Sequence, residues 1–261
     1  KINSYATLKI DSALMKETKT QIVWHQRHPN SIIDMNENAR LYLPYILQEA
    51  IDQKLPSEIA LIPFVESNYD PFAKSHKGAA GLWQIMPDLA SASNLEINSH
   101  IDERREVIKS TKAAMKQLKY LHGRLHNRWD YAIAAYSAGE GRVRQAIKQS
   151  QRSGNKISWT AFLPEETRKY LPKIYALKSI IKNPKKYQIQ LPELSSAHHF
   201  SAHSITRKYS FSQLSETCKI DNDMLHRLNP AWKSVFIESH NMLLVPKSTA
   251  FSCIKKLRKT A

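Results

Sequence analysis

Three short stretches of this chain carry side chains that can do chemistry, and the first contains Glu66. This residue follows an apolar run from Ile59 to Val65 and precedes Ser67. In general, a carboxyl group at the rim of an apolar pocket loses hydration, which disfavours its ionised form. A carboxyl that stays protonated near neutral pH can donate a proton to a leaving-group oxygen, such as that of a glycosidic bond. The alternative is a solvated glutamate at a helix end, which is the commoner situation.

The second stretch runs from Gly78 to Pro87 and is rich in small residues. Glycine and alanine let a backbone approach a ligand closely. Trp83 and Met86 can flank a sugar ring, and Gln84 can hydrogen-bond to it. The alternative is a tight turn that packs on the core.

The third stretch runs from Ala134 to Gly141 and contains Tyr136 within an almost wholly apolar segment. A buried tyrosine needs a partner for its hydroxyl group. That partner is either a substrate or, in the alternative interpretation, the backbone of the core.

These stretches, together with a fourth from Leu163 to Pro172, occur in order along the chain. In combination they resemble the soluble-lytic-transglycosylase catalytic domain, a lysozyme-like α fold, and in particular its membrane-bound lytic murein transglycosylase D branch. The resemblance covers about residues 38–187. Four ordered motifs are specific, whereas each motif alone is weak.

The resemblance implies a role for each matching residue. Glu66 is expected to be the single acid and base, Tyr136 to hydrogen-bond near the reacting sugar, and Glu166 to contact the peptide-bearing part of the substrate. Ser137 stands where the family usually has asparagine, so one side-chain hydrogen bond is in question. The remaining residues that the resemblance places around the substrate are Ser67, Ser75, Gly81, Gln84 and Met86.

The implied activity is cleavage of the MurNAc-β-1,4-GlcNAc bond of peptidoglycan without water, which gives 1,6-anhydroMurNAc ends. Trp83, Met86 and Tyr136 are expected to crowd the sugar and exclude water. Two alternatives remain open, namely a hydrolase similar to goose-type lysozyme and a catalytically weak scaffold that binds the cell wall. The resemblance also implies a periplasmic monomer, associated either with the outer membrane or with other cell-wall enzymes, and no cofactor.

The elements that must position these residues are mainly helical. Apolar residues recur at helical spacing, and proline or glycine residues mark most of the ends. Residues 1–30 are polar and weakly periodic, which predicts an extended arm or a lead-in to the first helix, and residues 72–86 predict a loop. The predicted helices cover residues 38–54, 57–67, 103–126, 129–137, about 140–148 and 164–183, with a short helix starting at Pro87.

The C-terminal part predicts a linker over residues 188–202 and a small β-α-α-β module over residues 203–247. The module resembles LysM, a peptidoglycan- and chitin-binding fold, although Tyr209 to Phe211 replaces its usual Gly-Asp-Thr turn. Its strands are expected near 203–206 and 242–245, and its helices near 211–218 and 221–228. The predicted organisation is therefore an arm (1–37), a catalytic domain (38–187), a linker (188–202), a separable module (203–247) and a solvated basic tail (248–261).

The chain has 261 residues and a net charge of +16, which favours an anionic partner. Nucleic acid, anionic lipid and an acidic cell-wall polymer are all compatible with that charge. Nucleic acid is not expected, because neither an arginine-rich tract nor zinc-finger spacing is present.

Histidine and cysteine residues of the C-terminal part raise the questions of metal binding and crosslinking. His198, His199 and His203 lie in or beside the expected linker without a nearby cysteine, so no metal site is predicted. Cys218 and Cys253 are the only cysteines, and they either pair in an oxidising compartment or remain free thiols.

Overall fold

The computed structural model describes residues 8, 11–191 and 199–259, without the side chains of residues 33–37. This part of the chain is mainly α, as predicted, with its named strands confined to the C-terminal segment, residues 199–259. The helices are α1 Met15–Arg27, α2 Asn30–Ala39, α3 Leu43–Asp52, α4 Ile62–Ser67, α5 Pro87–Ala92, α6 Val107–Arg124, α7 Trp129–Ala138, α8 Glu140–Arg152, α9 Glu165–Lys182, α10 Phe211–Cys218, α11 Asn222–Leu228 and α12 Lys247–Lys259. The strands are β1 Phe200–Ser204, β2 Tyr209–Ser210, β3 Phe236–Ile237 and β4 Met242–Pro246, and short 3-10 helices cover Ser12–Leu14, Ser57–Leu61, Trp159–Phe162 and Pro184–Tyr187.

The chain divides into two compact units, and each is built from separate stretches of sequence. The first unit comprises Lys1–Asn36, Glu49–Val65 and Ala114–Glu193. The second unit comprises Glu37–Gln48, Glu66–Ala113 and Leu194–Ala261. The predicted domain boundaries follow sequence order, and they stay a prediction.

The core of the first unit forms around α7 and α9. Helix α7 packs against α8 and α9, and α1 also packs against α9. Because α7 is apolar on nearly all sides, it can be buried on more than one face, and Ile133 is fully buried. Ile174 and Tyr175 of α9 are likewise fully buried.

The N-terminal prediction of an extended arm is wrong for the described residues. They form a 3-10 turn capped by Asp11, then α1 and α2. In α1 the buried residues Thr18, Ile22 and His25 follow helical spacing. The outer face of α1 carries the exposed Val23 and Trp24, which weakens the apolar periodicity that would have indicated a helix.

A buried ion pair between Glu58 and Lys178 holds the first described residue, Leu8, in place within the first unit. The Glu58 carboxylate is 2.8 Å from Lys178 Nζ, and its side chain is only 3% exposed. Its Oε1 atom also accepts a hydrogen bond from Leu8 N at 3.2 Å. Removing one partner of a buried pair leaves a charge without compensation, so this pair constrains where the N-terminal residues lie.

The second unit has an apolar core that includes large side chains from its separate stretches. Tyr42, Tyr69 and Trp83 are all fully buried. A further cluster in the C-terminal segment includes Leu214, Leu225 and Leu243. The unit therefore gathers stretches that are distant in the sequence.

Two antiparallel strand pairs organise the C-terminal segment. Strand β1 pairs with β4 from Phe200↔Pro246 to Ser204↔Met242, and β2 pairs with β3. Strand β4 lies where predicted, while β1 begins three residues before the predicted run. A capping box between Ser210 and Gln213 starts α10, because each side chain bonds the other residue's backbone N–H.

The basic residues of the predicted tail are exposed, as expected of a solvated end, but residues 247–259 form α12, which also has a buried face. Ala250, Cys253 and Leu257 line its buried face, and the basic residues lie on the other faces. Cys253 forms a disulfide with Cys218 of α10, with an S–S distance of 2.01 Å. The open question of the two cysteines is thus decided by the packing of α12 on α10. None of the helices in the described part of the chain is long and apolar enough to cross a membrane.

Candidate active site

Glu66 lies in the last turn of α4, at the end of a buried helical stretch. The preceding Ile62, Pro63 and Phe64 are buried, whereas Glu66 is half-buried. The helix ends because Asn68 adopts a left-handed backbone conformation, with φ of 53°. The predicted place of Glu66, at the end of an apolar helix, is confirmed, and its side chain is partly accessible.

The residue after Glu66 connects this helix end to the glycine loop, which we define as residues 78–86. Ser67 Oγ donates a hydrogen bond to Leu82 O at 2.8 Å. Within the loop Ala80 and Ile85 form an antiparallel bridge, as expected for a loop with short extended pieces. The glycine loop is therefore fixed relative to the residue next to Glu66.

Gln84 is held by the backbone of the loop that carries it. Its Nε2 donates to Gly81 O at 2.9 Å and to Ala73 O at 3.3 Å, and its own φ is +47°. Nearby, Ser75 Oγ accepts a hydrogen bond from Ala79 N at 3.0 Å. These bonds restrict the orientations of both predicted substrate-binding side chains.

Packing within the protein requires a glycine at position 81, in addition to any contact that Gly81 makes with substrate. Its φ is +78°, and a Cβ at this position would lie 2.3 Å from Arg104 O. Any other residue would therefore both clash with that backbone and adopt an unfavourable conformation. The close approach expected between this glycine and a ligand is, in the structure, an approach to the protein's own chain.

Trp83 does not flank a sugar, contrary to the sequence-based expectation. It is 0% exposed, and its Nε1 donates to Thr111 Oγ1 at 3.0 Å. The interpretation of this stretch as a turn packed on the core is correct for this residue. Met86, which is 43% exposed, remains available to a ligand.

The glycine loop is held by a buried pair that no sequence motif indicated, Asp102 and Arg104. Arg104 donates from Nε and Nη2 to the two Asp102 carboxylate oxygens, at 2.8 and 2.7 Å. Its Nη1 donates to Gly78 O at 2.6 Å and to Ile85 O at 3.3 Å. A planar guanidinium suits this pattern, because its fork can bind a carboxylate and still reach two carbonyls.

The ionised carboxylate of Asp102 keeps this clamp in place. Burial alone would raise the pKa of its carboxyl group, but hydrogen bonds from Arg104 and the charge of that residue hold the pKa below its ordinary value. The sequence indicates the glycine loop through its motif, but it does not indicate the pair that holds the loop. The charged run Asp102-Glu103-Arg104 has the composition of a solvated face, so no signal marked it as buried.

The nine predicted site residues divide between the two units. Glu66, Ser67, Ser75, Gly81, Gln84 and Met86 belong to the second unit. The other three belong to the first unit: Tyr136 is half-buried on α7, Ser137 is exposed beside it, and Glu166 is exposed in the first turn of α9. The joint action of the two sets on one substrate stays a prediction.

The first unit also contains a cleft of about 1170 Å³ that none of the nine residues lines. Its lining includes Arg128, whose guanidinium lies 4.0 Å from the Tyr131 ring centre and pairs with Asp130 at 2.5 Å. Trp159 packs edge-on against Tyr131 at 4.7 Å. These charged and aromatic side chains of the cleft therefore interact with one another.

Two of the three histidines near the predicted linker, His199 and His203, lie in the described part of the chain. His198 lies outside the described residues, and His203 Nε2 is hydrogen-bonded to Ser201 Oγ at 2.8 Å. Within the described ranges, no group of three His, Cys, Asp or Glu side chains is placed to hold an ion.

Comparison with known proteins agrees with the motifs. Residues 45–158 match the family model of the transglycosylase SLT domain. The chain is 31% identical to membrane-bound lytic murein transglycosylase D of Escherichia coli (strain K12), over 86% of this chain and 50% of that protein. It is 37% identical to a candidate tributyltin chloride resistance protein of Alteromonas sp. (strain M-1), over 64% of this chain and 76% of that protein. The chain belongs to the transglycosylase SLT family.

Further members resemble shorter parts of the chain. The soluble lytic murein transglycosylase of Salmonella typhimurium is 32% identical over 42% of this chain and 18% of that protein. A solved structure of an inactive mutant of the lytic transglycosylase Slt from Pseudomonas aeruginosa is 26% identical, covers 56% of this chain and 24% of that chain, and has a TM-score of 0.42. The present chain spans about half the length of the Escherichia coli relative.

The SLT match includes eight of the nine predicted site residues. It extends from Tyr45 to Ser158, and therefore contains Glu66, the glycine loop and Tyr136. Glu166 and the C-terminal segment lie beyond it. The family resemblance inferred from the motifs is confirmed, whereas the LysM resemblance of the C-terminal segment stays a prediction.

Proposed function

We propose that this SLT-family chain is a peptidoglycan lytic transglycosylase, with Glu66 as its single acid and base. The observation that carries this proposal is the half-buried carboxylate of Glu66 at the end of a buried helix, directly before Ser67, which bonds to the glycine loop. Relatives named murein transglycosylases support the same reaction.

In the proposed mechanism Glu66 transfers a proton twice. It first donates a proton to the oxygen that bridges MurNAc and GlcNAc, and the bond from MurNAc C1 to that oxygen breaks. The N-acetyl group of the same MurNAc stabilises the resulting sugar cation. The Glu66 carboxylate then accepts a proton from the 6-hydroxyl of that sugar as its oxygen bonds to C1, which closes a 1,6-anhydro ring.

A second catalytic carboxylate is not required for this route, whereas ordinary glycosidases use two. The next two acids along the chain after Glu66 have other roles. Asp70 Oδ1 accepts a hydrogen bond from Phe72 N at 2.8 Å, and Asp88 lies exposed in the first turn of α5, where a negative charge stabilises the helix. Glu66 therefore carries both proton transfers in this proposal.

The residues around the reacting bond have binding roles in the proposal. Gln84 and Met86, on the rigid glycine loop, contact the sugar, with Ser67, Ser75 and Gly81 beside them. Tyr136 hydrogen-bonds near the reacting sugar, and Glu166 contacts the peptide-bearing part. Ser137 is shorter than the usual asparagine and so gives up one hydrogen bond to the substrate.

The C-terminal segment is proposed to bind glycan strands in the manner of LysM, and the chain to act in the periplasm as a monomer. Support comes from the two helices α10 and α11, which follow each other between β1 and β4, and from the pairing of β1 with β4. The disulfide also suits an oxidising compartment. Association with the outer membrane or with other cell-wall enzymes belongs to this proposal as well.

The test is the identity of the products released from purified peptidoglycan. Hydrolysis adds one water and leaves reducing MurNAc ends, whereas intramolecular attack leaves anhydro ends that are lighter by the mass of water. The tethered 6-hydroxyl has an advantage over water, because effective concentrations in well-oriented intramolecular reactions reach roughly 10⁵ M or more. Mass analysis without borohydride reduction should find mostly anhydro ends.

The other two outcomes identify the alternatives. Mostly reducing ends would make the chain a hydrolase similar to goose-type lysozyme. Binding to peptidoglycan without release of fragments would favour the weak scaffold, for which the exposed Ser137 in place of asparagine is the specific observation.

A further inference from the structure

The C-terminal segment is joined by main-chain hydrogen bonds to the connecting segment, which we define as residues 96–104 of the same unit. Lys233 N donates to His100 O at 2.8 Å, and Asp102 N donates to Ala231 O at 2.8 Å. Main-chain pairing of this kind fixes two backbones in register. It is a more definite connection than contacts between exposed side chains.

A further main-chain bridge and two side chains extend the same junction. Trp232 forms an antiparallel bridge with Ile101 and also packs against the apolar cluster of the C-terminal segment. The Lys233 ammonium group donates to Asn98 O at 2.5 Å. The junction is thus continuous with the core of the C-terminal segment.

The connecting segment in turn holds the glycine loop. Asp102, whose backbone N–H bonds to the C-terminal segment, binds Arg104 through both carboxylate oxygens. Arg104 bonds to the carbonyls of Gly78 and Ile85 near the two ends of the loop. A displacement of Asp102 would therefore move the guanidinium that fixes both ends.

A second route links the C-terminal segment to Asn68, two residues after Glu66. Tyr42 is fully buried, and its hydroxyl donates to Arg227 O at 2.7 Å. On the same stretch of residues 37–48, Asn38 Nδ2 donates to Asn68 O at 3.1 Å. Together with the bond from Ser67 to the glycine loop, the two routes end at the residues immediately after Glu66.

We propose that the C-terminal segment positions the glycine loop, and that Trp232 and Lys233 are positioning residues for the reaction at Glu66. This inference rests on the proposed function, and it differs from the separable module expected from sequence, whose only role would be to hold the enzyme on its polymer. A catalytic arrangement displaced by about 1 Å can lose about a hundredfold in rate, so such a junction affects the chemical step directly.

The first experiment measures amide hydrogen exchange in the full chain and needs no activity. Trp232→Ala removes the side chain that joins the junction to the C-terminal core. Exchange in residues 78–86 and 96–104 should become about tenfold faster, because these amides open with the junction. Exchange in α9 should stay unchanged. The matched control is Phe251→Ala, since Phe251 is 83% exposed on α12 and should leave both segments unaffected.

A milder variant keeps the proposal testable if Trp232→Ala unfolds the whole chain. Lys233→Met preserves the length of the side chain but removes its hydrogen bond to Asn98 O. It should accelerate exchange in the same two segments by a smaller factor. Unchanged exchange there, in a folded Trp232→Ala protein or in Lys233→Met, would overturn the proposal.

The second experiment separates positioning from tethering by steady-state kinetics on short soluble glycans. Positioning predicts that Trp232→Ala lowers kcat about tenfold with KM changed little, because the loop is misplaced rather than lost. A tether alone predicts unchanged kcat on soluble glycans and weaker retention on insoluble peptidoglycan, which would overturn the proposal. An unmodified chain without activity would contradict the proposed function and leave the exchange result standing.

Discussion

At the scale of single residues, the proposed chemistry depends on Glu66. Glu66→Gln keeps the shape of the side chain but removes the transferable proton. We expect a loss of at least about 10²–10⁴-fold in activity, because one group performs both proton transfers. The rate of fragment release from purified peptidoglycan measures the loss, and thermal unfolding should show that the variant is folded.

The control for Glu66→Gln is the same change of charge at an acid outside the proposed chemistry. Asp88 is exposed at the start of α5, so Asp88→Asn should retain nearly full activity. Near wild-type activity of Glu66→Gln would contradict the assignment. A loss of the same size in Asp88→Asn would point to a second carboxylate.

Gly81 provides a second test at the residue scale, this time of stability. Gly81→Ala must accommodate a methyl group 2.3 Å from Arg104 O at a φ of +78°. We expect a decrease of about 2–4 kcal/mol in the free energy of unfolding, from backbone strain and overpacking together. Urea denaturation measures this decrease.

The matched glycine is Gly123, which lies in α6, where an added Cβ would meet nothing within 4 Å and the φ is not positive. Gly123→Ala should raise the free energy of unfolding by about 0.5–1 kcal/mol, because alanine has the higher helix propensity. A Gly81→Ala protein as stable as the unmodified chain would show that the close approach to Arg104 is not a constraint.

At the scale of elements, the burial of α1 predicts a dependence of stability on pH. Burial lowers the pKa of His25 from 6.5 to about 4, and the positive charges of His28 and Lys173 contribute to the same shift. The unfolded chain therefore binds a proton at higher pH than the folded chain. Stability from this residue is complete above pH 6.5 and is lost as the pH falls towards 4.

Between pH 7 and pH 4.5 this linkage should cost about 2–3 kcal/mol. The measurement is the free energy of unfolding by urea at the two pH values. His25→Gln should reduce the difference by that amount. His28→Gln, at the exposed residue that directly follows α1, should leave most of the difference. Equal pH dependence in all three proteins would mean that His25 does not titrate as its burial requires.

At the scale of the whole molecule, the disulfide is expected to stabilise the C-terminal segment. Cys218 and Cys253 are 35 residues apart, and closing a loop of that length contributes about 2–4 kcal/mol. The double variant Cys218→Ala with Cys253→Ala should therefore unfold at lower temperature, with α12 losing hydrogen-exchange protection first.

The control for the disulfide is the reducing agent alone. Dithiothreitol should destabilise the unmodified chain and leave the double variant unchanged. If neither the reductant nor the substitutions altered thermal unfolding, the disulfide would have no part in holding α12 on α10.

The local structure around the proposed site could be predicted from the sequence because it depends on contiguous residues. The run before Glu66, the glycine pattern around Gln84 and the apolar Trp129 to Ala138 each carry their own signal. The helices expected near 211–218 and 221–228 likewise agree with α10 and α11. These features need only the neighbouring residues, so the sequence by itself determined the fold class, the elements of the catalytic region and the family.

Tertiary structure alone decided which side chains became buried and where they bind. Trp83 is of a residue type that can flank a sugar ring, yet its indole is buried in the core and donates a hydrogen bond to Thr111. Asp102 and Arg104 have the composition of a solvated face, yet burial makes them the clamp of the glycine loop. Main-chain pairing between Asp102 and Ala231 joins residues 129 positions apart and leaves no pattern in either stretch. Backbone hydrogen bonds do not depend on side-chain type, and for this reason the sequence could not reveal that junction.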